Sequence, residues 1–282
     1  MARDSDVRSA ESITIDLSNG FALRIYPDRR PGNLELAGIH KALILVKGGV
    51  ELVEEGAGFG LPIAIFRDKT LFPGSATLRM IQSDPYPIIE KIYELDTVSV
   101  KSLGESRISD AIYHPAHRIF SILYLSLNYL RPFFDKIMEL RNMVGVRTSF
   151  IVAQSRGRVS VLYSVRQDEI GIDVSTELSE GCEELMLLNE QGALTFRRYD
   201  DLSSTLIDNE IGAWEKVDAE KATLSTLDGG LSFTVLKPLG ASFWRGRERV
   251  KGRLSWAGLT LSFRRHDSIS YKVKIGPRTD PN

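Results

Sequence analysis

Short apolar runs of period two, closed again and again by glycine-bearing turns, leave this 282-residue chain little besides an antiparallel β architecture. Ile13, Ile15 and Leu17 alternate with polar residues, Ser18-Asn19-Gly20 turns the chain, and Phe21, Leu23 and Ile25 alternate again. An Asn-Gly pair between two such runs is the strongest short-range hairpin signal, because its tight turn needs positive φ at both central positions. Asp28-Arg-Arg-Pro-Gly-Asn33 is a loop by composition, while 42–46 and 61–66 read as strands separated by Lys47-Gly-Gly49 and a glycine cluster. After Gly145 the pattern continues. Residues 150–153 and 159–165 flank Ser155-Arg-Gly157, 185–188 and 193–196 flank Asn189-Glu-Gln-Gly192, and 224–227 and 231–235 flank Asp228-Gly-Gly230. Leu254, Trp256, Leu259, Leu261 and Phe263 then precede a last alternating strand at Ile269, Tyr271, Val273 and Ile275. Hairpins at this spacing predict a mainly β chain, with antiparallel sheets packed as a β-sandwich and not as a doubly wound parallel sheet.

One segment departs from the pattern. Ser121, Asn128, Asp135 and Asn142 recur every seven residues, which is two helical turns, so 115–144 is expected as an inserted helical segment. Pro115 suits its first turn, Gly145 its end, and Pro132 predicts a kink or a break between two helices. The expected organisation is a flexible tail at 1–11, a single sandwich domain at 12–276 carrying the insertion, and a short tail at 277–282. With 43% hydrophobic and 26% charged residues the chain has material for a core without disulfides, and its one cysteine, Cys182, cannot form an internal one. The charge-alternating start lacks the apolar stretch of a secretory signal, and the most apolar run, 119–130, is too short and polar to cross a bilayer. A soluble, cytoplasmic protein without a membrane partner is expected.

The chemistry-bearing strings are few. Glu54-Glu-Gly-Ala-Gly-Phe-Gly60 does not continue into a phosphate-binding helix, since 61–66 reads as extended, so nucleotide binding is disfavoured. The cluster reads either as a bend where strands approach closely or as a backbone edge beside Glu54, Glu55, Arg67 and Asp68 that hydrogen-bonds a polar ligand. Tyr113-His-Pro-Ala-His117 holds two of the four histidines, His114 and His117, with Asp110 upstream. Without a securely placed third ligand no metal is expected there, and no cofactor elsewhere, but a proton-transfer role for His114 or His117 stays open. No Gly-x-Ser-x-Gly elbow supports a hydrolase triad. The basic stretch 242–253 interleaves Phe243 and Trp244 with Arg245, Arg247, Arg249, Lys251 and Arg253, a pattern that stacks on and neutralises an anionic polymer, or else forms a solvated hairpin.

This layout, with its strand–Asn-Gly–strand opening, serial hairpins, one helical interruption and alternating final strand, resembles the supersandwich of galactose-mutarotase-like proteins. That group includes aldose epimerases and sandwich domains of polysaccharide lyases and glycosidases. The resemblance implies a sugar ligand and, in the enzymes, a histidine acid and a carboxylate base above one sheet; no motif carries either role to a numbered residue here. The leading expectation is recognition of a carbohydrate or similar polyol, with contacts from Glu54, Glu55, Arg67, Asp68, His114, His117, Trp244 and Arg245. A sugar epimerase, mutarotase or lyase would use His114 or His117 as acid and Glu55 as base. A salt-dependent module for nucleic acid or another polyanion would use Arg245, Arg247, Arg249, Lys251 and Arg253. A structural or assembly subunit is the remaining class.

The formal net charge of −1 hides an asymmetry: residues 167–220 hold 15 acidic and 3 basic side chains, whereas 237–274 hold 10 basic and 2 acidic. If the segments neighbour each other they neutralise; on opposite faces they would leave a basic surface for an anionic partner.

Overall fold

The computed structural model describes residues 12–27, 41–54, 56–103, 146–250, 254–264 and 268–278. The expected helical segment 115–144 lies outside them. Among the described residues the chain is almost wholly antiparallel β, and its helical content is one 3-10 turn, Asp208–Glu210. The strands are β1 (Ile13–Asp16), β2 (Phe21–Ile25), β3 (Ile44–Lys47), β4 (Val50–Glu51), β5 (Gly58–Phe66), β6 (Thr70–Gln82), β7 (Ile88–Leu103) and β8 (Val146–Val152). They continue as β9 (Gly157–Arg166), β10 (Glu169–Leu178), β11 (Cys182–Gln191), β12 (Arg198–Asp200), β13 (Thr205–Ile207), β14 (Glu215–Val217) and β15 (Lys221–Ser225). The last are β16 (Ser232–Leu236), β17 (Ser242–Val250), β18 (Leu254–Phe263) and β19 (Ser268–Gly276).

The chain divides into two compact units, residues 1–98 with 152–282, and Ser99–Ile151. In the second, the described residues are the end of β7 and nearly all of β8, which pair. In the first, β1 to β4 form a small meander, and the remaining strands form two layers. One layer runs β5-β11-β18-β17-β14 and the other β13-β12-β15-β16-β19-β10-β9-β7-β6. Strand β6 belongs to both: Thr70 and Leu71 pair with β5, and from Phe72 onward it pairs with β7 through register shifts at Pro73. Proline cannot donate to a ladder, so it falls naturally at the point where the strand leaves one sheet for the other.

Period-two burial shows which face of each strand is inside. In β19, Ile269, Tyr271, Val273 and Ile275 are buried while the residues between them are exposed, and β9 buries Val159, Val161, Tyr163 and Val165. Phe59 of β5 meets Phe233 of β16 edge-on at 5.2 Å, and Phe233 meets Phe196 at 4.9 Å, which locks the layers with aromatic contacts.

Polar groups tie the layers as well. Asn189 of β11 is fully buried and uses its whole amide: Oδ1 accepts from the Tyr271 hydroxyl (2.9 Å) and the Gly60 N–H (3.2 Å), and Nδ2 donates to Leu259 O (3.0 Å) and Leu187 O (3.3 Å). The Tyr163 hydroxyl donates to Phe59 O (3.1 Å) and lies 3.4 Å from that of Tyr93. Gly60 makes this possible. Its φ of +80° forms a bulge on β5, and a Cβ there would sit 3.1 Å from the Tyr163 hydroxyl. Because of the bulge, Leu61 pairs with Leu188 but Phe59 pairs with Asn189, which turns Phe59 inward. Gly58, also at positive φ, has Leu43 O only 2.6 Å from where its Cβ would be. The glycine cluster is thus a close strand crossing.

Several strand expectations need correction. Asn189-Glu-Gln-Gly192 is not a turn between strands: Asn189, Glu190 and Gln191 are the buried end of β11, and 193–196 is not a strand. The segments around Ser155-Arg-Gly157 do not pair with each other, since β8 and β9 both pair with β7.

Asn189→Leu would orphan Gly60 N–H, the Tyr271 hydroxyl and Leu259 O, and should lower unfolding free energy in urea by about 3 kcal/mol or more, whereas Tyr271→Phe should cost about 1 kcal/mol. Equal losses would show that the amide is not the tie.

Candidate functional site

The face of the first layer that points away from the sandwich core carries the most concentrated chemistry among the described residues. Asn189 points inward, so Glu190 points the other way. Glu190 is in register with Gly58 on one side and with Gly258 of β18 on the other, and Gly258 is in register with Gly246 of β17. Two steps along, Glu248 faces Trp256 across the same strand pair, so Glu190, Gly258, Gly246, Trp256 and Glu248 share one face.

The glycine pair forms a bare floor, and the Trp214 indole lies on it. A Cβ at Gly246 would be 2.9 Å from Trp214 Cε3 and 3.0 Å from Trp256 Cη2; one at Gly258 would be 2.9 Å from Trp214 Cη2 and 2.7 Å from Glu190 Cγ. Trp214 also stacks on Trp256, with ring centroids 4.5 Å apart and planes 15° from parallel. Any side chain at either glycine would break this arrangement.

Glu190 is 7% exposed under this cover. Its Oε2 accepts the Ala57 N–H at 3.0 Å, and Lys41 Nζ donates to the neighbouring Gly56 carbonyl. Burial pushes the Glu190 carboxyl up to about 7; the Ala57 N–H and the Lys41 charge oppose that, and the Glu248 carboxylate adds to it. A carboxyl that exchanges its proton near neutrality, beside stacked indoles, can donate or accept a hydrogen bond to a hydroxyl-bearing ring.

The residues expected from the sequence do not converge on this site. Trp244 lies on the same face, two residues from Gly246, and its Nε1 donates to Ser262 Oγ (3.0 Å). Glu54 sits at the end of the glycine cluster, with Oε1 accepting from Leu194 N–H (3.2 Å) and Oε2 from the Ser255 hydroxyl. Arg67 and Asp68 occupy the β5–β6 turn, where Arg67 pairs with Glu183 (3.2 Å) and Asp68 takes both Arg156 amines (2.9 and 2.8 Å). Arg245 and Arg247 alternate with the site and face the core side: Arg245 lies over the Tyr199 ring (5.2 Å) and bonds Ile211 O and Glu215, and Arg247 bonds Ala193 O and pairs with Asp208 (3.3 Å). Arg249 is exposed. Glu55, His114, His117, Lys251 and Arg253 lie outside the described residues. The sequence reading missed Glu190 and Trp214: Glu190 sits in the polar string 189–191, which reads as a turn after the apolar run 185–188.

Two further features bear on function. An open groove of about 480 Å³ crosses the outer face of the second layer over Gly171, lined by Ser164, Arg166 and Asp173 among others, with Lys272 paired to Glu169 (2.6 Å). Among the described residues no group of three or more metal-ligating side chains converges, and no helix is long and apolar enough to cross a membrane.

No protein-family model matches the chain, and no curated protein matches it in sequence. Its fold has counterparts among solved structures. An alpha-N-acetylgalactosaminidase from Bifidobacterium bifidum, solved with GalNAc, is similar over 95% of this chain and 36% of its own, with a TM-score of 0.52 and 7% identity. A galactose mutarotase-like protein from Lactobacillus casei aligns over 94% of this chain and 99% of its own (TM-score 0.43, 11% identity). A galactose mutarotase related enzyme from Lactobacillus acidophilus aligns over 95% and 98% (TM-score 0.39, 7% identity). The chain spans about a third of the length of the glycosidase, and the likeness is one of fold. The fold so defined is an antiparallel β-sandwich.

The elevated Glu190 pKa has a consequence for stability. The folded state holds this proton more tightly than the unfolded chain, so the contribution is fully present below the ordinary carboxylate value of about 4.5 and is lost as pH rises through about 7. Glu190→Gln keeps an acceptor for Ala57 N–H but does not titrate. Between pH 4.5 and 8 the wild type should lose on the order of 3 kcal/mol relative to the variant in denaturant titrations; parallel pH profiles would exclude an elevated pKa.

Proposed function

We propose that this protein recognises a carbohydrate or similar polyol on the outer face of the first layer, around Glu190, Trp214 and Trp256. The observation that carries the reading is the stacked indole pair over a side-chain-free glycine floor, with a buried carboxyl of pKa about 7 at its edge. A sugar ring has an apolar face that stacks on an indole and equatorial hydroxyls that hydrogen-bond a carboxyl. The glycosidase of similar fold was solved with a bound amino sugar, which accords with a sugar ligand. Trp244 extends the face, Arg245 supports it from the core side through its ion pair with Glu215, and Glu54, Arg67 and Asp68 lie away from it.

A second reading, proton transfer on the bound sugar as in an epimerase, mutarotase or lyase, is favoured by the Glu190 pKa alone. In it Glu190 would take the base role that the sequence suggested for Glu55. The polyanion alternative is weakened by the pairing of Arg245 with Glu215 and of Arg247 with Asp208.

Thermal-shift titrations with galactose, N-acetylgalactosamine, glucose and uronic acids, with duplex DNA as the polyanion control, test the proposal. At least one sugar should stabilise the protein in a concentration-dependent way, and Trp256→Ala should weaken that sugar's affinity by about tenfold or more. Stabilisation by DNA alone, or by no sugar at all, would overturn it.

A further inference from the structure

Among the described residues the Trp214 indole is held by ring stacking and packing with no side-chain hydrogen bond such as Trp244 makes. The backbone on either side is fixed. Gly212 O accepts the Arg247 N–H (2.7 Å), Ile211 is fully buried with its carbonyl bonded to Arg245 (2.8 Å), and Glu215 is in register with Arg245. The Trp214 side chain is only half-buried, whereas Trp256 beneath it is 7% exposed. With the backbone on both sides held by strand pairing, displacement of the indole has to come from rotation about the Trp214 side-chain bonds.

That rotation would uncover three things at once: the stacking face of Trp256, the Gly246–Gly258 floor, and the carboxyl of Glu190, whose Cγ crowds the same point above Gly258 as Trp214 Cη2. The indole is a flat ring lying over a second aromatic ring and beside a carboxyl. A pyranose bound to such a face makes the same contacts, with its apolar face on Trp256 and a hydroxyl on Glu190.

We propose that the Trp214 indole sits where the ring of a pyranose stacks, and that the ligand enters by displacing it from Trp256 and from the glycine floor. The inference rests on the reading that this face binds sugar, and it adds that Trp214 is a competitor for the site and not part of its wall. The free protein is then mostly in a form that binds poorly, and apparent affinity is reduced by the fraction of time the indole is out. Size selectivity follows: a ligand too small to cover the Trp256 face cannot replace the contacts the indole gives up.

The test uses methyl α- and β-pyranosides of galactose and glucose, with two readouts. In the wild type, the circular-dichroism exciton couplet of the stacked indoles should collapse in step with binding. Trp214→Ala should bind the same pyranoside about tenfold more tightly, and the smaller ring of Trp214→Phe should shift affinity in the same direction by less. A couplet that persists at saturation, or weaker binding by both variants, would overturn displacement while leaving sugar recognition intact, since Trp214 would then be a wall of the site. If no pyranoside binds the wild type or either variant, sugar recognition itself fails and this inference falls with it. The wild-type couplet decides the question even if Trp214→Ala does not fold.

Discussion

One fully satisfied amide ties the two layers together and orients the strand that carries the candidate site. Asn189 is buried between two sheets, and an unpaired amide there would cost more than most single contacts contribute. Its four hydrogen bonds reach Tyr271 in one layer and Gly60, Leu187 and Leu259 in the other. Meeting the Gly60 N–H needs the β5 bulge, and the bulge in turn sends Phe59 into the core against Phe233. With Asn189 fixed inward, strand alternation leaves Glu190 no choice but the opposite face, opposite the glycine at 258. The structural tie and the candidate site are adjacent residues of one strand, so the rigidity of the first positions the second.

Charge follows the same economy of neighbours. The acidic 167–220 and basic 237–274 segments are interleaved: β10 pairs with β19, β14 with β17, and ion pairs join Lys272 to Glu169, Arg245 to Glu215, Arg247 to Asp208 and Lys237 to Asp218. The exposed pairs among them, Lys272–Glu169 and Lys237–Asp218, stabilise little individually. The effect of the whole set is to cancel, strand by strand, the opposite charges of the two segments.

The β-rich class and several hairpins were legible because their signals are local. Asn19-Gly20 and Asp228-Gly-Gly230 place glycine at positive φ where tight turns require it, and the alternating runs around them become β1–β2 and β15–β16; Lys47-Gly-Gly49 also turns the chain, but into the short β4, which the sequence does not mark. The glycine cluster was legible as a close strand approach for the same reason. Asn189-Glu-Gln-Gly192 was misread because turn composition is a local statistic and its polar side chains are satisfied by distant partners: Tyr271 and Leu259 for Asn189, Ala57 for Glu190, and the Leu45 N–H for Gln191. The longest strands, β6 and β7, lack the short turn-bounded runs that marked the others, and Pro73-Gly74 interrupts β6 where it changes sheets. Trp214 belongs to no motif; its role is set by two glycines more than thirty residues away in the chain.

The face around Glu190 and the groove over Gly171 are distinct surfaces of the same sandwich. A crystal structure of the protein soaked with a methyl pyranoside that stabilises it distinguishes them most directly. The ring should lie on Trp256 with a hydroxyl within hydrogen-bonding distance of Glu190. A ring bound over Gly171, with Trp256 and Glu190 untouched, would contradict the assignment of the recognition site to the outer face of the first layer.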